Sequence, residues 1–309
     1  MAVLRHKKHI TAVDIRSFSA GANLFFNIFL ALFAISCLVP FIFIIIISLT
    51  KETDLTIFGY QFWPKHFSIT SYQYLSKFGS QVVRSLGVTI FVTVIGTIMN
   101  TMFSATYAYA ISRNEFRYRR FFTMFALVSM LFAPGMIPTY LVVTQMLNLR
   151  DNVWALILPM AFGVYNVLIM RTFYKTQVPD AIVESARIDG AGDLRIFAQI
   201  VVPLAVPGIA TISLFTALGY WNDWMNALLY INNDNLVPLQ YLLVRIQNNM
   251  DALVKSASQS AQLGAAAAQI PTEGTRMAMV VIATLPIALT YPFFQKYFVK
   301  GMTIGGVKG

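Results

Sequence analysis

Charge is scarce in this chain. Asp, Glu, Lys and Arg make up 12% of its 309 residues, about half the share found in soluble globular proteins. With a mean hydropathy of +0.64, a bilayer rather than water is the first solvent to consider. Thiols are scarcer still: Cys37 is the single cysteine, so no internal disulfide framework exists, and its place inside an apolar run suggests packing. His6, His9 and His66 all lie outside the apolar runs, and His-Glu-x-x-His is absent. Zinc chemistry and a histidine-activated thiol at membrane depth are thereby excluded. Gly-x-x-x-x-Gly-Lys-Ser/Thr is also missing; the terminal "GGVKG" has a lysine but no following Ser/Thr or helix, so the chain carries no phosphate-cradling loop. A net charge of +10 raises nucleic acid as a partner, yet the cations flank apolar runs instead of forming a basic stripe interleaved with aromatics. No nucleic-acid role is expected.

Long apolar runs are what the chain has in abundance. A helix needs about 20 residues to cross a ~30 Å hydrocarbon layer, and six runs meet that length: 23–49, 85–111, 122–145, 153–172, 201–231 and 277–298. The expected fold class is an all-α polytopic membrane protein of six transmembrane helices. It divides into an N-terminal segment 1–22, a membrane domain 23–298 and a tail 299–309. The cations before the first run resemble a signal peptide, but 27 apolar residues exceed the ~7–15 of a signal core, so a retained helix is expected. Of the 23 Lys and Arg, 15 fall on the side of both termini and 8 on the other, which places the termini in the cytoplasm. The opposite side has two long segments, about 50–84 and 232–276.

Acids avoid the runs, as the cost of burying charge in lipid requires, with one exception. Asp223 lies inside the fifth run with no second carboxylate in any run, so an aspartyl pair is excluded; a single intramembrane acid also suits an ion-coupled carrier. Prolines 40, 134, 138, 203, 207 and 286 sit within or beside the runs. They mark either moving breaks or ordinary proline tolerance in membrane bundles.

Between the fourth and fifth runs stands "RTFYKTQVPDAIVESARIDGAGDLRIFAQI", residues 171–200. Pro179 suits a helix start, Asp180 and Glu184 favour its positive end, and Glu184 is spaced to meet Arg187 and Ile188. Gly190 permits a left-handed stop. The spacing predicts a helix over about 180–188, a tight Asp189-Gly190-Ala191-Gly192 turn, and a second helix over about 193–200. Leu194, Phe197 and Val201 share a face of that second helix and form a seat against the bundle. Small residues at Ala181, Ser185 and Ala186 allow close approach of a partner. Local physics leaves two readings, a structured solvated loop or a docking element.

Glu184-Ser185-Ala186, Gly190 four places after Ala186, Ile200 ten places later and Pro203 three beyond resemble the Glu-Ala-Ala loop of membrane subunits of ATP-binding-cassette importers. Ser185 stands where the family usually has a second alanine, and Val202 where it has leucine. "YPFFQKYFVKGMTIGGVKG" (291–309) and "GYWNDWMNALLY" (219–230) are similar to the ending and the fifth-span segment of carbohydrate permeases of the maltose-transporter class. "IPTEGTRMAMVVIATLPIALTYPFFQKYFVKG" (270–301) resembles the polysaccharide and oligosaccharide branch, including aldouronate-type systems.

The resemblance implies the type I importer permease fold, with a coupling helix in the loop about 173–200 that inserts into a groove on a cytoplasmic ATPase. It assigns that contact to Glu184, Ser185, Ala186, Asp189, Gly190, Ala191, Phe197, Ile200 and Pro203. It further implies a bacterial plasma membrane, a homologous sister permease, two ATPase subunits and an external solute-binding protein. ATP and Mg would be bound by the ATPase subunits, no cofactor by this chain, and no chemistry would be done on the sugar. The chain is therefore expected to be a non-enzymatic importer subunit for oligosaccharides. The rival, an ion-coupled secondary transporter, has no use for an ATPase-docking loop.

Trp221, Asn222, Asp223 and Trp224 combine aromatic faces with hydroxyl-bonding groups and are candidates for a sugar path; an interfacial aromatic belt with an acid near water is the other reading, and the stronger one for direct sugar contact. The stretch "VKSASQSAQLGAAAAQIPTEG" (254–274) is either a connector or a partly helical contact to the binding protein, since alanine favours helix and Pro271 would end it. Gly305, Lys308 and Gly309 lie in the tail, which related permeases extend toward the ATPase pair; a frayed basic terminus is the other reading.

Overall fold

The structure is a computed structural model that describes residues 20–132, 134–258 and 272–305. Among these residues helices and turns account for the fold, with a single isolated β-bridge between Thr50 and Phe67. The first helix, α1 (Ala20–Ser48), contains no charged residue and exposes apolar side chains, with Cys37 also exposed. Two short helices follow, α2 (Glu52–Phe58) and α3 (Thr70–Ser76), and then the longer α4 (Gly79–Ser112). Next come α5 (Arg119–Leu131) and α6 (Met136–Leu141), the latter running into a π-helical turn over Val142–Met146. After α7 (Trp154–Ile157) the chain passes through a 3-10 turn, Leu158–Met160, into α8 (Val164–Gln177).

A charged elbow contains α9 (Asp180–Ile188), α10 (Asp193–Ile196), a π-helical turn over Phe197–Val201 and α11 (Val202–Leu204). The chain ends with α12 (Val206–Trp221), α13 (Met225–Tyr230), α14 (Leu239–Ser258) and α15 (Thr272–Gly305). Three helical stretches, Gly21–Ser48, Gly79–Ser112 and Thr272–Thr290, are each long and apolar enough to cross a bilayer. The count rises to six if each of three bent pairs is one span: Arg119–Leu131 with Met136–Met146, Trp154–Met160 with Val164–Gln177, and Asp193–Leu204 with Val206–Trp221.

The hub is α4, and its inward face is small and polar where a soluble helix would be greasy. Ser85, Thr89, Gly96, Asn100, Ser104 and Ala108 are buried at helical spacing, and this stripe lets α8 and α12 approach closely. The limit is reached at Gly96, where an added Cβ would lie 2.3 Å from the Tyr220 ring. That ring has nowhere to go: Tyr220 is buried, and its hydroxyl donates to the Ile157 carbonyl at 2.7 Å. Gly208 on α12 plays the same part for Phe173 of α8, with a Cβ placed 2.8 Å from the ring.

Where α4, α8 and α12 meet, the polar groups bond one another. Asn100 donates to the Met160 carbonyl at 2.8 Å, and Asn166 donates to Asn100 Oδ1 at 2.9 Å and Thr216 Oγ1 at 3.0 Å. Met160 is the last residue before the 49° break between the α7 and α8 segments. Such a break frees backbone groups that lipid cannot satisfy, and Asn100 takes up one of them.

The fifth apolar run is less continuous than its sequence predicts. Instead of one helix over 201–231, the segment Asp193–Leu204 meets Val206–Trp221 at 81°, and a further break at 222–224 separates α13. Pro203 and Pro207 bracket the first corner, where the Ala205 N–H donates to the carbonyls of Val201 and Val202; proline's missing donor and fixed φ favour such a corner. The second break explains Asp223: its carboxylate accepts the backbone N–H of Asn226 at 3.1 Å and the Asn226 side-chain amide at 2.7 Å, capping the start of α13.

Replacing Gly96 with alanine should cost about 1–3 kcal/mol by overpacking and lower the thermal midpoint of the purified protein by several degrees. The same change at Gly87, which has nothing within 4 Å, should leave it unmoved. Equal midpoints for the two variants would show that the α4–α12 contact is not limiting.

Candidate functional site at the charged elbow

The elbow is a short helix with a C-terminal stop, followed by a corner. Helix α9 begins after Pro179 with Asp180 in its first turn, where a carboxylate meets the positive end of the helix dipole. It stops at Gly190, whose φ of +81° lies in the region that only glycine enters freely. The Gly190 N–H donates to the Arg187 carbonyl and the Ala191 N–H reaches back to the Ala186 carbonyl, both at 2.9 Å. This pair of bonds is the Schellman stop, and the predicted helix bounds of 180–188 match α9.

Inward and outward faces separate cleanly. Val183 and Ala186 are buried against Tyr174, Val178, Ile196 and Val201, with Ala191, Phe197 and Ile200 half-buried around them. Phe197 lies against Tyr109 of α4 with ring centroids 5.1 Å apart. Glu184, Ser185, Asp189, Gly190 and Pro203 are exposed, and the Ser185 hydroxyl donates to the Ala181 carbonyl at 2.8 Å. The sequence-predicted site residues thus divide into a packing set and a surface set.

Two details differ from the sequence reading. Leu194 does not seat the second helix: it is 85% exposed, while Ile196 is fully buried. The continuation of α10 as a π-helical turn shifts the inward register to Ile196 and Val201. Ile188, at the end of α9, is 86% exposed, so two large aliphatic side chains flank the Gly190 turn. Arg187, spaced to meet Glu184, pairs instead with Asp193 at 3.0 Å and Glu115 at 3.5 Å. Its hydrogen bond to Asp193 holds the guanidinium pKa above its ordinary value.

A second ion pair, invisible in the motif itself, ties the elbow to α4. Arg113, one residue beyond α4 and 4% exposed, donates to Asp180 Oδ1 at 3.1 Å, while Asn114 donates to the other oxygen at 3.3 Å. Arg113 and Arg187 thus form two clamps joining the α4–α5 turn to α9 and α10. Between them lies a cavity of about 400 Å³ lined by Tyr109, Arg113, Glu115, Arg187, Asp193 and Phe197.

At the far end of α12 the predicted sugar-path residues do not converge. Trp221 is buried, its indole N–H donating to the Ala283 carbonyl at 3.1 Å. It forms part of the wall of an apolar cavity of about 500 Å³ among α4, α12 and α15 that also holds Thr93, Thr97 and Pro286. Asn222 donates to the Leu218 carbonyl and accepts from Gln240 at 3.2 Å, Asp223 caps α13, and Trp224 is 38% exposed. Gly305 closes α15; Lys308 and Gly309 lie outside the described residues, as does most of the Ala-rich stretch of the 232–276 segment.

No protein-family model matches the chain. Over 91% of its length it is 42% identical to the polygalacturonan/rhamnogalacturonan transport system permease protein YtcP of Bacillus subtilis, of which it spans 96%. It is 25% identical, over 90% of its own length and 94% of the relative's, to the arabinooligosaccharides transport system permease protein AraQ of Halalkalibacterium halodurans. Among solved structures it matches a bacterial ABC transporter involved in the import of the acidic polysaccharide alginate. That match has a TM-score of 0.72 and 28% identity over 91% of this chain and 99% of the other. Identity at this level over nearly the whole of both chains, together with the shared fold, settles the family: the chain belongs to the permease subunits of ATP-binding-cassette sugar importers.

Proposed function

We propose that the elbow is the docking surface for a cytoplasmic ATPase, and that its displacement drives this chain between inward-open and outward-open forms during oligosaccharide import. The observation that carries the reading is the exposure of Ile188 and Leu194, 86% and 85%, on either side of a rigid glycine stop. A docked partner that covers these aliphatic side chains removes their apolar surface from water. Glu184, Ser185, Asp189 and Gly190 form the contact around them. Ala186, Ala191, Phe197 and Ile200 fix the elbow to the bundle, and Pro203 sets the corner into α12.

In this reading ATP and Mg bind two ATPase subunits, and a homologous sister permease faces this chain across the sugar path. Both termini, including segments 1–22 and 299–309, lie in the cytoplasm of a bacterial plasma membrane, and the domain 23–298 crosses it six times. A solute-binding protein engages the opposite side, to which the 232–276 segment belongs. Oligosaccharide cargo is supported by the likeness to permeases named for polygalacturonan/rhamnogalacturonan and arabinooligosaccharides, and to an alginate importer. Of the four candidates Trp221, Asn222, Asp223 and Trp224, Asn222 and Trp224 keep exposed side chains for a passing sugar. Binding-protein engagement and ATPase closure act by favouring one of two forms of the bundle, since a ligand shifts an equilibrium only through unequal affinity for its states.

The Gly190 turn gives a sharp test. A β-branched residue at φ +81° strains the backbone by about 1–2 kcal/mol, whereas asparagine tolerates that conformation. Gly190→Val should lower oligosaccharide uptake by about tenfold, the scale of a modest coupling free energy, while ATP hydrolysis by the complex continues; Gly190→Asn should retain coupling. Unchanged uptake in Gly190→Val and in Leu194→Asp would remove the elbow as the docking surface.

The clamps give a second test. Arg113→Asp leaves Asp180 facing a like charge and should lose uptake, and the exchanged pair Arg113→Asp with Asp180→Arg should recover part of it. Recovery confined to protein yield, with uptake still absent, would make the pair a folding contact rather than a link in transmission.

A further inference from the structure

We infer that residues 57–69 form a wedge seated in the outer-leaflet interface of the bilayer rather than a loop in water; the inference rests on the orientation proposed above. The segment, "IFGYQFWPKHFSI", presents Ile57, Tyr60, Phe62, Trp63, Phe67 and Ile69 as exposed side chains, with Trp63 at 88%. Such density of aromatics with few charges is the composition of a membrane–water boundary. Position supports the same occupant. The Phe62 ring stacks on Phe43 of α1 with centroids 4.3 Å apart, and Phe43 stands five residues before the end of that helix. At 1.5 Å per residue that is about 7 Å below the end of α1, so the segment folds back along the membrane-facing helix instead of rising away from it.

The C-terminal end of the wedge is fastened to the residues that directly follow α1. The Lys51 N–H donates to the His66 carbonyl at 3.1 Å, and the Ser68 N–H donates to the Leu49 carbonyl at 2.8 Å. His66 is drawn back to Asp54, whose carboxylate accepts its backbone N–H at 3.1 Å. The Lys65 ammonium sits 3.3 Å from the centre of the Phe58 ring, an arrangement that covers aromatic surface while leaving the charge at headgroup level. The last turns of α1 also carry exposed apolar side chains, Phe41, Ile42 and Ile45, and the Phe62–Phe43 stack lays the wedge against that helix, so the phospholipid that bathes the helix also covers the wedge.

The consequence reaches α15. Glu52, at the start of α2, accepts the backbone N–H groups of Glu273 and Gly274 at 3.0 Å each and the Thr272 hydroxyl at 3.1 Å. A wedge fixed at the interface therefore sets the depth of the outer end of α15.

The test uses the full chain in its assembled complex in nanodiscs, with a nitroxide at position 63 (Trp63→Cys in a Cys37→Ser background). The expected result is greater collision with oxygen than with a water-soluble nickel chelate. Greater collision with the chelate would place the segment in water. Protection from both probes, or protection that appears only when the binding protein or sister subunit is added, would make it a protein interface; either result overturns the wedge. Labelling of Asn233→Cys by an impermeant maleimide in whole cells tests the orientation separately. Outside labelling with an aqueous position 63 sinks the wedge alone, while labelling only after lysis sinks the orientation.

Discussion

Hydrocarbon offers a broken helix no hydrogen bonds, and the stripe of small and polar residues along α4 is what allows this chain to break its helices nonetheless. At the 49° break before α8, the Asn100 amide takes the Met160 carbonyl and is itself held by Asn166 and Thr216. Each such bond is modest in membrane proteins, about 0.6 to 2 kcal/mol, but the unpaired alternative costs several. Gly96 brings Tyr220 close enough to bond Ile157 across the same junction. Without that stripe, α8 and α12 would have to be straight and more distant, and neither end of the bundle would have its present shape.

The elbow inherits its leverage from this arrangement. It enters α12 through an 81° corner and grips α4 through Arg113 and Asp180, so one rigid unit addresses two helices that already interlock at Gly96 and Asn100. Arg113 is buried and Asp180 is not. A surface pair of this kind adds little stability, but a buried guanidinium without its carboxylate is costly. The pair is therefore better understood as a constraint on where α9 sits than as a source of stability. Phe197 against Tyr109 reinforces the same constraint without charge.

Much of this was legible in the chain because local rules govern it. Gly190 as a stop, Pro179 as a start and the two prolines of the corner act through backbone geometry that needs no partner, and the bounds of α9 follow from them. The six apolar runs were equally visible, since length and composition decide them. Continuity was not: whether a run is straight or bent depends on carbonyls being met by residues such as Asn100, about sixty positions away. Leu194 faces outward because the π-helical turn after it changes the register relative to Val201. Arg187 found Asp193 and Glu115 in place of its helical neighbour Glu184, a choice made by folding of the turn rather than by spacing. Asp223 was conspicuous in sequence as a charge inside a run, and the structure resolves it as the cap that lets the run end.

Exposed apolar surface carries different meanings at different heights of the molecule. Along α1, most side chains face outward, but lipid is a fitting solvent there and exposure implies no partner. Trp63 and its neighbours are comparably exposed, yet they contain Tyr, Trp and Lys in place of uniform aliphatics, the pattern that distinguishes the boundary from the interior of a bilayer. Ile188 and Leu194 lie beyond the reach of either, surrounded by Glu184, Asp189, Asp193 and Arg195. Only at that last height is apolar exposure costly, because water is the alternative. The proposed ATPase contact is the element that would take these two aliphatic side chains, held out on a glycine-stopped turn, away from water.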